Sequence, residues 1–69
     1  MSVARISEIS AESPNGFDAA IKEGIDRATK TLRGVVHAWV GDQEVVLNDG
    51  QITAYRVRLK VTFMLEDPS

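Results

Sequence analysis

The sequence predicts an α+β domain in the order β-α-β-β, with a three-stranded antiparallel sheet partly wrapped around one helix. Residues 55–65 alternate apolar and polar side chains almost without a break, which is typical of a strand with one buried face. Residues 17–32 place apolar side chains at steps of one, three and four, the spacing of a single helical stripe. Residues 48–50, Asn-Asp-Gly, separate two strand patterns and indicate a hairpin turn.

The length and composition indicate one domain, residues 1–69, that needs support from outside its own core. Domains of this size bury only about 60% of their unfolded surface and often depend on disulfides, metals or oligomerisation. The chain has no cysteine and one histidine, which excludes a disulfide framework and disfavours a histidine-rich metal site. Oligomerisation is the common support that remains, so we expect a homo-oligomer.

The charge and hydropathy patterns disfavour two classes of partner. The net charge is −2, which gives no general attraction to nucleic acid. The sequence shows no charged and then apolar leader, and no apolar stretch approaches the roughly 20 residues of a membrane-spanning helix. We therefore expect a cytoplasmic protein with neither a nucleic-acid nor a membrane partner.

The first strand and the helix are predicted from local signals. Residues 3–10 are interpreted as a strand and residues 11–16 as a loop, in which Ser13 suits a helix N-cap and Pro14 the first helical position. Gly34 suits the position just past the helix end. Gly24 lies inside the helix, where glycine costs about 1 kcal/mol relative to alanine, and a close approach to another backbone would explain it.

The hairpin places two sets of side chains on opposite faces of the sheet. Residues 35–47 are predicted to form a strand in which residues 41–44 favour a bulge, and residues 66–69 a short polar tail. The face against the helix is assigned to Val36, Ala38 and Val40, together with Tyr55, Val57, Leu59, Val61, Phe63 and Leu65. The opposite face, called here the open face, is assigned to His37, Trp39, Arg56, Arg58 and Lys60. One helix covers only one face, so burying the open face requires other subunits.

Several segments, in this order and spacing, resemble the dodecin family of small β-α-β-β proteins. The segments are Ser-Pro-Asn-Gly at 13–16, Ala-Ala-Ile at 19–21, Ala-Thr-Lys-Thr-Leu-Arg at 28–33, Tyr-Arg-Val at 55–57, and Val-Thr-Phe-Met-Leu-Glu at 61–66. The resemblance covers nearly the whole chain. It implies a hollow dodecameric shell with 23 symmetry that binds flavin, riboflavin or FMN, at subunit interfaces.

The resemblance also implies where a flavin site would lie and how this chain departs from the family's pattern. Flavin-binding dodecins stack the ring on a tryptophan early in the second strand, where this chain has His37, and present a glutamine from the third strand, where it has Arg56. Many bacterial members have an arginine at the position of Glu44. The chain is thus identified as a variant without the flavin-stacking tryptophan. The cofactor-binding candidates are His37, Trp39, Gln43, Glu44 and Arg56.

Two of the candidate residues, Trp39 and Arg56, have a second interpretation. Trp39 is either an interface anchor or a displaced stacking platform. Arg56 either holds an FMN phosphate or, as we favour, pairs with Glu44 or Asp42 of the neighbouring strand. The alternative to flavin storage is a flavin-free assembly of the same shape that binds an anion, such as phosphate or coenzyme A, or Ca²⁺. The oxygen ligands for calcium would be Asp42, Glu44 and Asp49.

An enzymatic function has almost no support in the sequence. It contains no cysteine nucleophile, no glycine-rich phosphate loop and no plausible Ser/His/Asp set. We therefore expect a binding protein and not an enzyme.

Overall fold

The computed structural model describes residues 3–65, and it confirms the predicted fold class. Its elements are β1 (Ala4–Ser13), α1 (Phe17–Thr31), β2 (Val35–Asn48) and β3 (Gln51–Met64). The strands form one antiparallel sheet in the order β1-β3-β2, so the last strand is central. The predicted polar tail lies outside the described residues. Across residues 3–65, no helix has both the length and the apolar character needed to cross a membrane.

The core lies between the helix and the central strand. Val57, Leu59 and Val61 have no exposed surface, as their alternation predicted, and they pack against Ala20 and Ala28 of α1. Small helix residues let the helix lie close to the sheet, which suits the branched side chains of β3. Leu65 departs from the prediction because it follows the end of β3 and is exposed.

The buried stripe of the helix explains the glycine in its middle. Ala20, Gly24 and Ala28 are the buried residues of α1, spaced four apart. A Cβ at Gly24 would lie 2.8 Å from Leu59 Cδ1 and 2.9 Å from Ala11 Cβ. The sequence had suggested a close approach to another backbone. The close approach is instead to side chains of two strands.

The segment before the helix differs from the prediction. Residues 11–13 continue β1 because they pair with β3, and Ser13 stands opposite Tyr55. The helix begins only at Phe17, and its N-cap is Gly16 without a side-chain cap. Ser13 is buried, and its Oγ accepts a 3.1 Å hydrogen bond from the Asn15 N–H. The predicted N-cap at Ser13 and first helical position at Pro14 are therefore wrong, although the helix bounds are correct within one residue.

At the helix end, Leu32 is the C-cap and Gly34 lies two residues further on with φ of 71°. The left-handed conformation favours glycine there, as predicted. The Gly34 carbonyl accepts a 2.9 Å hydrogen bond from the Met64 N–H, which ties the start of β2 to the end of β3.

Two irregularities in β2 decide which of its side chains face the helix. The register shifts between Val35 and His37, so Val35 packs against the core while Val36 is exposed. The assignment of Val36 to the covered face is therefore wrong, whereas Ala38 and Val40 do contact the core. A second shift between Val40 and Gln43 confirms the predicted bulge.

The hairpin extends well beyond the helix. Its turn is formed by Asp49 and Gly50, both with positive φ, as the Asn-Asp-Gly signal predicted. Because β1 pairs with β3 only as far as Tyr55, residues 3–65 place no third strand beside the hairpin end. The rings of Phe17 and Tyr55 pack edge to face, with their centroids 5.1 Å apart. This contact lies where the helix starts and where the hairpin extends past the end of β1.

Candidate functional site

The register of the sheet gathers polar and aromatic side chains on the open face. Glu12, Arg56 and Glu44 are neighbours across the three strands, one on each. Further along lie Glu8, Lys60 and Trp39, again one on each strand. The predicted placement of Trp39 on the same face as the basic residues of β3 is confirmed by this register.

Arg56 is held between two carboxylates. Its Nε donates a 2.9 Å hydrogen bond to Glu12 Oε1, and its Nη1 donates a 3.2 Å hydrogen bond to Glu44 Oε1. The Arg56 Nη2 lies 2.8 Å from the same Glu12 oxygen. The hydrogen bond and charge of Glu12, with those of Glu44, raise the pKa of Arg56 above its ordinary value. The favoured pairing with Glu44 is confirmed, and the guanidinium is engaged on both sides.

Arg58 occupies a similar but looser position. Its Nη1 lies 3.5 Å from Asp42 Oδ2, and its Nε lies 3.9 Å from Glu8 Oε1. Such exposed and long contacts contribute little to stability, but they neutralise the arginine locally. Two of the three cations of the open face are therefore matched by carboxylates on both neighbouring strands.

Trp39 has a different environment. It is 68% exposed, and the Lys60 Nζ lies 5.1 Å from the centre of its ring. This distance is within the range of a cation–π contact, which is weak at an exposed site. An exposed indole on a sheet face offers a flat surface on which a conjugated ring can stack.

A shallow cleft of about 250 Å³ adjoins the indole. It is lined by Glu8, Trp39, Gly41, Asp42, Arg58 and Lys60. The lining thus combines one aromatic surface with four charged groups of both signs. Such a cleft can bind a planar ligand by stacking and ionic contact.

The other predicted site residues do not line this cleft. His37 is exposed on the open face opposite Thr62, two residues before Trp39. Gln43 stands opposite Val57, whose side chain is in the core, so the register places Gln43 on the other face of the sheet. Glu44 and Arg56 lie on the open face but do not line the cleft.

The proposed calcium ligands do not converge within one subunit. Asp42 and Glu44 contact arginines, and Asp49 lies in the hairpin turn. Across residues 3–65, no three histidine, cysteine or acidic side chains form a group that could hold a metal ion.

Sequence reasoning missed the contribution of the first strand. Glu8 and Glu12 contact Arg58 and Arg56 respectively, although neither acidic residue was among the candidates. The signal was present, because Ile9 and Ala11 separate these acids by the alternation of a strand. Glu12 was overlooked because residues 11–13 were assigned to a loop, whereas Glu8 lay in the predicted strand, whose pairing with β3 was not predicted.

Comparison with known proteins identifies the family to which this chain belongs. The family model described as Dodecin matches residues 3–66, so the chain belongs to the dodecin family. A dodecin from Streptomyces davaonensis is 39% identical, with a TM-score of 0.90 over 96% of this chain and 97% of that chain. A dodecin from Streptomyces coelicolor is 33% identical, with a TM-score of 0.90 over 96% and 94% of the respective chains.

The name of a third relative, which is less similar in sequence, includes a ligand, calcium. The calcium dodecin of Mycobacterium tuberculosis, described as a calcium-chelating antigen, is 28% identical, with a TM-score of 0.82 over 99% of this chain and 97% of that chain. No match was found among curated proteins.

Proposed function

We propose that this protein is a binding and storage protein that holds a flavin, riboflavin or FMN, on the open face of the sheet between subunits of a dodecamer with 23 symmetry. The observation that carries the proposal is the exposed indole of Trp39 beside a cleft on a face that the helix does not cover. Membership of the dodecin family supports the flavin as ligand. Storage would act by excluding the ring from water and light.

The distribution of apolar surface supports assembly. The hairpin end exposes Val45, Leu47 and Ile52, and the other end of the sheet exposes Val3, Ile6, Val36 and Leu65. Large exposed apolar side chains in groups are typical of protein–protein interfaces. The small core between one helix and one sheet gives a second reason for assembly, because such short chains are marginally stable alone.

The size of the cleft also supports a site shared between subunits. At about 250 Å³ it is smaller than the roughly 300–1,000 Å³ of complete small-molecule sites, and it is open to solvent. A second copy against the open face would supply the missing wall. In this arrangement Trp39 has both of the roles considered for it, because the same indole anchors the interface and stacks on the ligand.

The site residues have different proposed roles. Trp39 is the stacking surface, and His37 lies beside it as a secondary contact. Glu44 and Arg56 hold the strands of the open face in register through their ion pair and do not bind the ring. Gln43, on the other face, would contact ligand only through a neighbouring copy.

The flavin-free alternative, an assembly that binds an anion, coenzyme A or Ca²⁺, has weaker support. The name of the Mycobacterium tuberculosis relative favours calcium. Against it, Asp42 and Glu44 are already engaged by arginines, so a calcium ion would have to displace those contacts.

Native mass spectrometry of the purified protein tests the proposal. We expect a mass of twelve subunits that increases by whole flavin masses after incubation with riboflavin. A dodecamer without flavin adducts, whose mass increases instead with calcium or coenzyme A, would overturn the flavin assignment in favour of the alternative. A monomer would overturn the assembly.

A further inference from the structure

Lys60 is the one cation of the open face for which residues 3–65 provide no carboxylate within ion-pair distance. Arg56 contacts Glu12 and Glu44, and Arg58 contacts Asp42 and Glu8. The Lys60 ammonium instead contacts the ring of Trp39. An incoming anion would therefore find the arginines neutralised and the lysine available.

The carboxylates near Lys60 are directed elsewhere. Glu8 lies directly opposite Lys60 in the register, but its carboxylate lies 3.9 Å from Arg58. Asp42 lines the same cleft and also contacts Arg58. Arg58 thus draws both acids away from the lysine, which leaves a positive charge at one wall of the cleft.

Trp39 positions that charge next to the proposed stacking surface. The ammonium lies 5.1 Å from the ring centre, so it covers part of the indole at a modest energetic gain. A ligand ring that stacks on the indole would displace the ammonium from the ring. The displaced ammonium, on a flexible four-carbon stem, is then within reach of an anionic group on the same ligand.

We infer that Lys60 is the anion-binding and specificity-determining residue of the Trp39 cleft, and that the site selects planar aromatic ligands bearing a phosphate, FMN before riboflavin. This inference rests on the proposed flavin-binding function. It assigns the phosphate contact to Lys60 and not to Arg56, for which the sequence had offered that role as the less favoured interpretation.

The test compares FMN with riboflavin on the assembled wild-type protein and on Lys60→Gln, by following the quenching of flavin fluorescence. We expect wild type to bind FMN about fivefold more tightly than riboflavin, the ratio that corresponds to an exposed ionic contact of about 1 kcal/mol. Lys60→Gln should abolish this preference and retain riboflavin binding. Lys60→Arg should restore much of it, and Lys22→Gln, a neutralised lysine on the exposed side of the helix, should leave it unchanged.

Salt provides a second measurement on the wild-type protein. At about 1 M salt the Debye length falls to about 3 Å, so the preference for FMN should shrink while riboflavin affinity is largely kept. Equal affinities for the two flavins in wild type, or an undiminished preference in Lys60→Gln, would overturn the inference but leave the proposed function standing. If neither FMN nor riboflavin binds, both the inference and the proposed function are overturned.

Discussion

Glu12 of β1 holds Arg56 of β3 across a sequence distance of 44 residues, with Arg56 Nη2 2.8 Å from Glu12 Oε1. The pair lies where β1 is about to leave the sheet, one residue before Ser13. Glu44 contacts the same guanidinium from the opposite side. The arginine therefore links both edge strands to the central strand on the face that we assign to the ligand.

Glu12→Gln should lower the melting temperature slightly, because it removes the charge of the shorter ion pair on an exposed surface. The melting temperature is measured at fixed subunit concentration, since assembly contributes to stability. Glu23→Gln makes the same charge change on an exposed helix position. Equal shifts in both variants, or a difference that survives high salt, would contradict a specific role for the Glu12–Arg56 pair.

Gly24→Ala should destabilise the fold even though alanine favours helices. The added methyl would lie 2.8 Å from Leu59 Cδ1 and 2.9 Å from Ala11 Cβ, and overpacking of this kind costs about 1–3 kcal/mol. The gain in helix propensity is only about 1 kcal/mol. Chemical denaturation measures the net change in the free energy of unfolding.

The control for Gly24→Ala is a double-mutant cycle with Leu59→Val, which shortens one of the clashing side chains. We expect the substitution at Gly24 to cost less in the Leu59→Val background than in wild type, because the two sites share one space. Additive effects, or stabilisation by Gly24→Ala alone, would show that the helix and sheet are not packed as described.

Trp39→Ala should remove most flavin binding and weaken assembly, because one exposed indole is proposed to serve both roles. Trp39→Phe keeps an aromatic surface, so the dodecamer should persist with reduced flavin affinity. Flavin-fluorescence titration and light scattering measure the two properties separately. Full flavin affinity in an assembled Trp39→Ala variant would place the ligand elsewhere.

His37→Trp should strengthen flavin binding, because it adds a second flat surface on the same face, two residues from Trp39. Lys22→Trp is a suitable control, since it places the same side chain on the exposed side of the helix, away from the open face. Equal gains in the two variants would mean that added hydrophobicity, and not position on the open face, is responsible.

The architecture was predictable because its main signals are local. The alternation around Leu59, the helical stripe through Ala20 and Ala28, and the turn at Asp49 each depend on near neighbours in the sequence. The start of the helix was missed because Ser13 caps well in isolation, whereas pairing with Tyr55 keeps it in the strand.

The candidate site was less predictable because it is assembled from three strands. The alternation of the hairpin placed Trp39 and Arg56 on one face, and the resemblance to dodecins made them candidates for the site. The role of Glu12 depends on a pairing 44 residues away, and the face of Val36 depends on a bulge that shifts the register by one residue. Neither feature leaves a distinct mark in the local composition.

The most direct test of the central claim is a titration of Trp39 fluorescence with riboflavin and FMN in the assembled protein. Trp39 is the only tryptophan in the sequence, so its emission reports on the open face without mutation. The account predicts saturable quenching by flavin, beyond the inner-filter loss measured with N-acetyltryptophanamide. Emission that falls no further than this reference, in protein shown to be dodecameric, would contradict flavin binding at the open face.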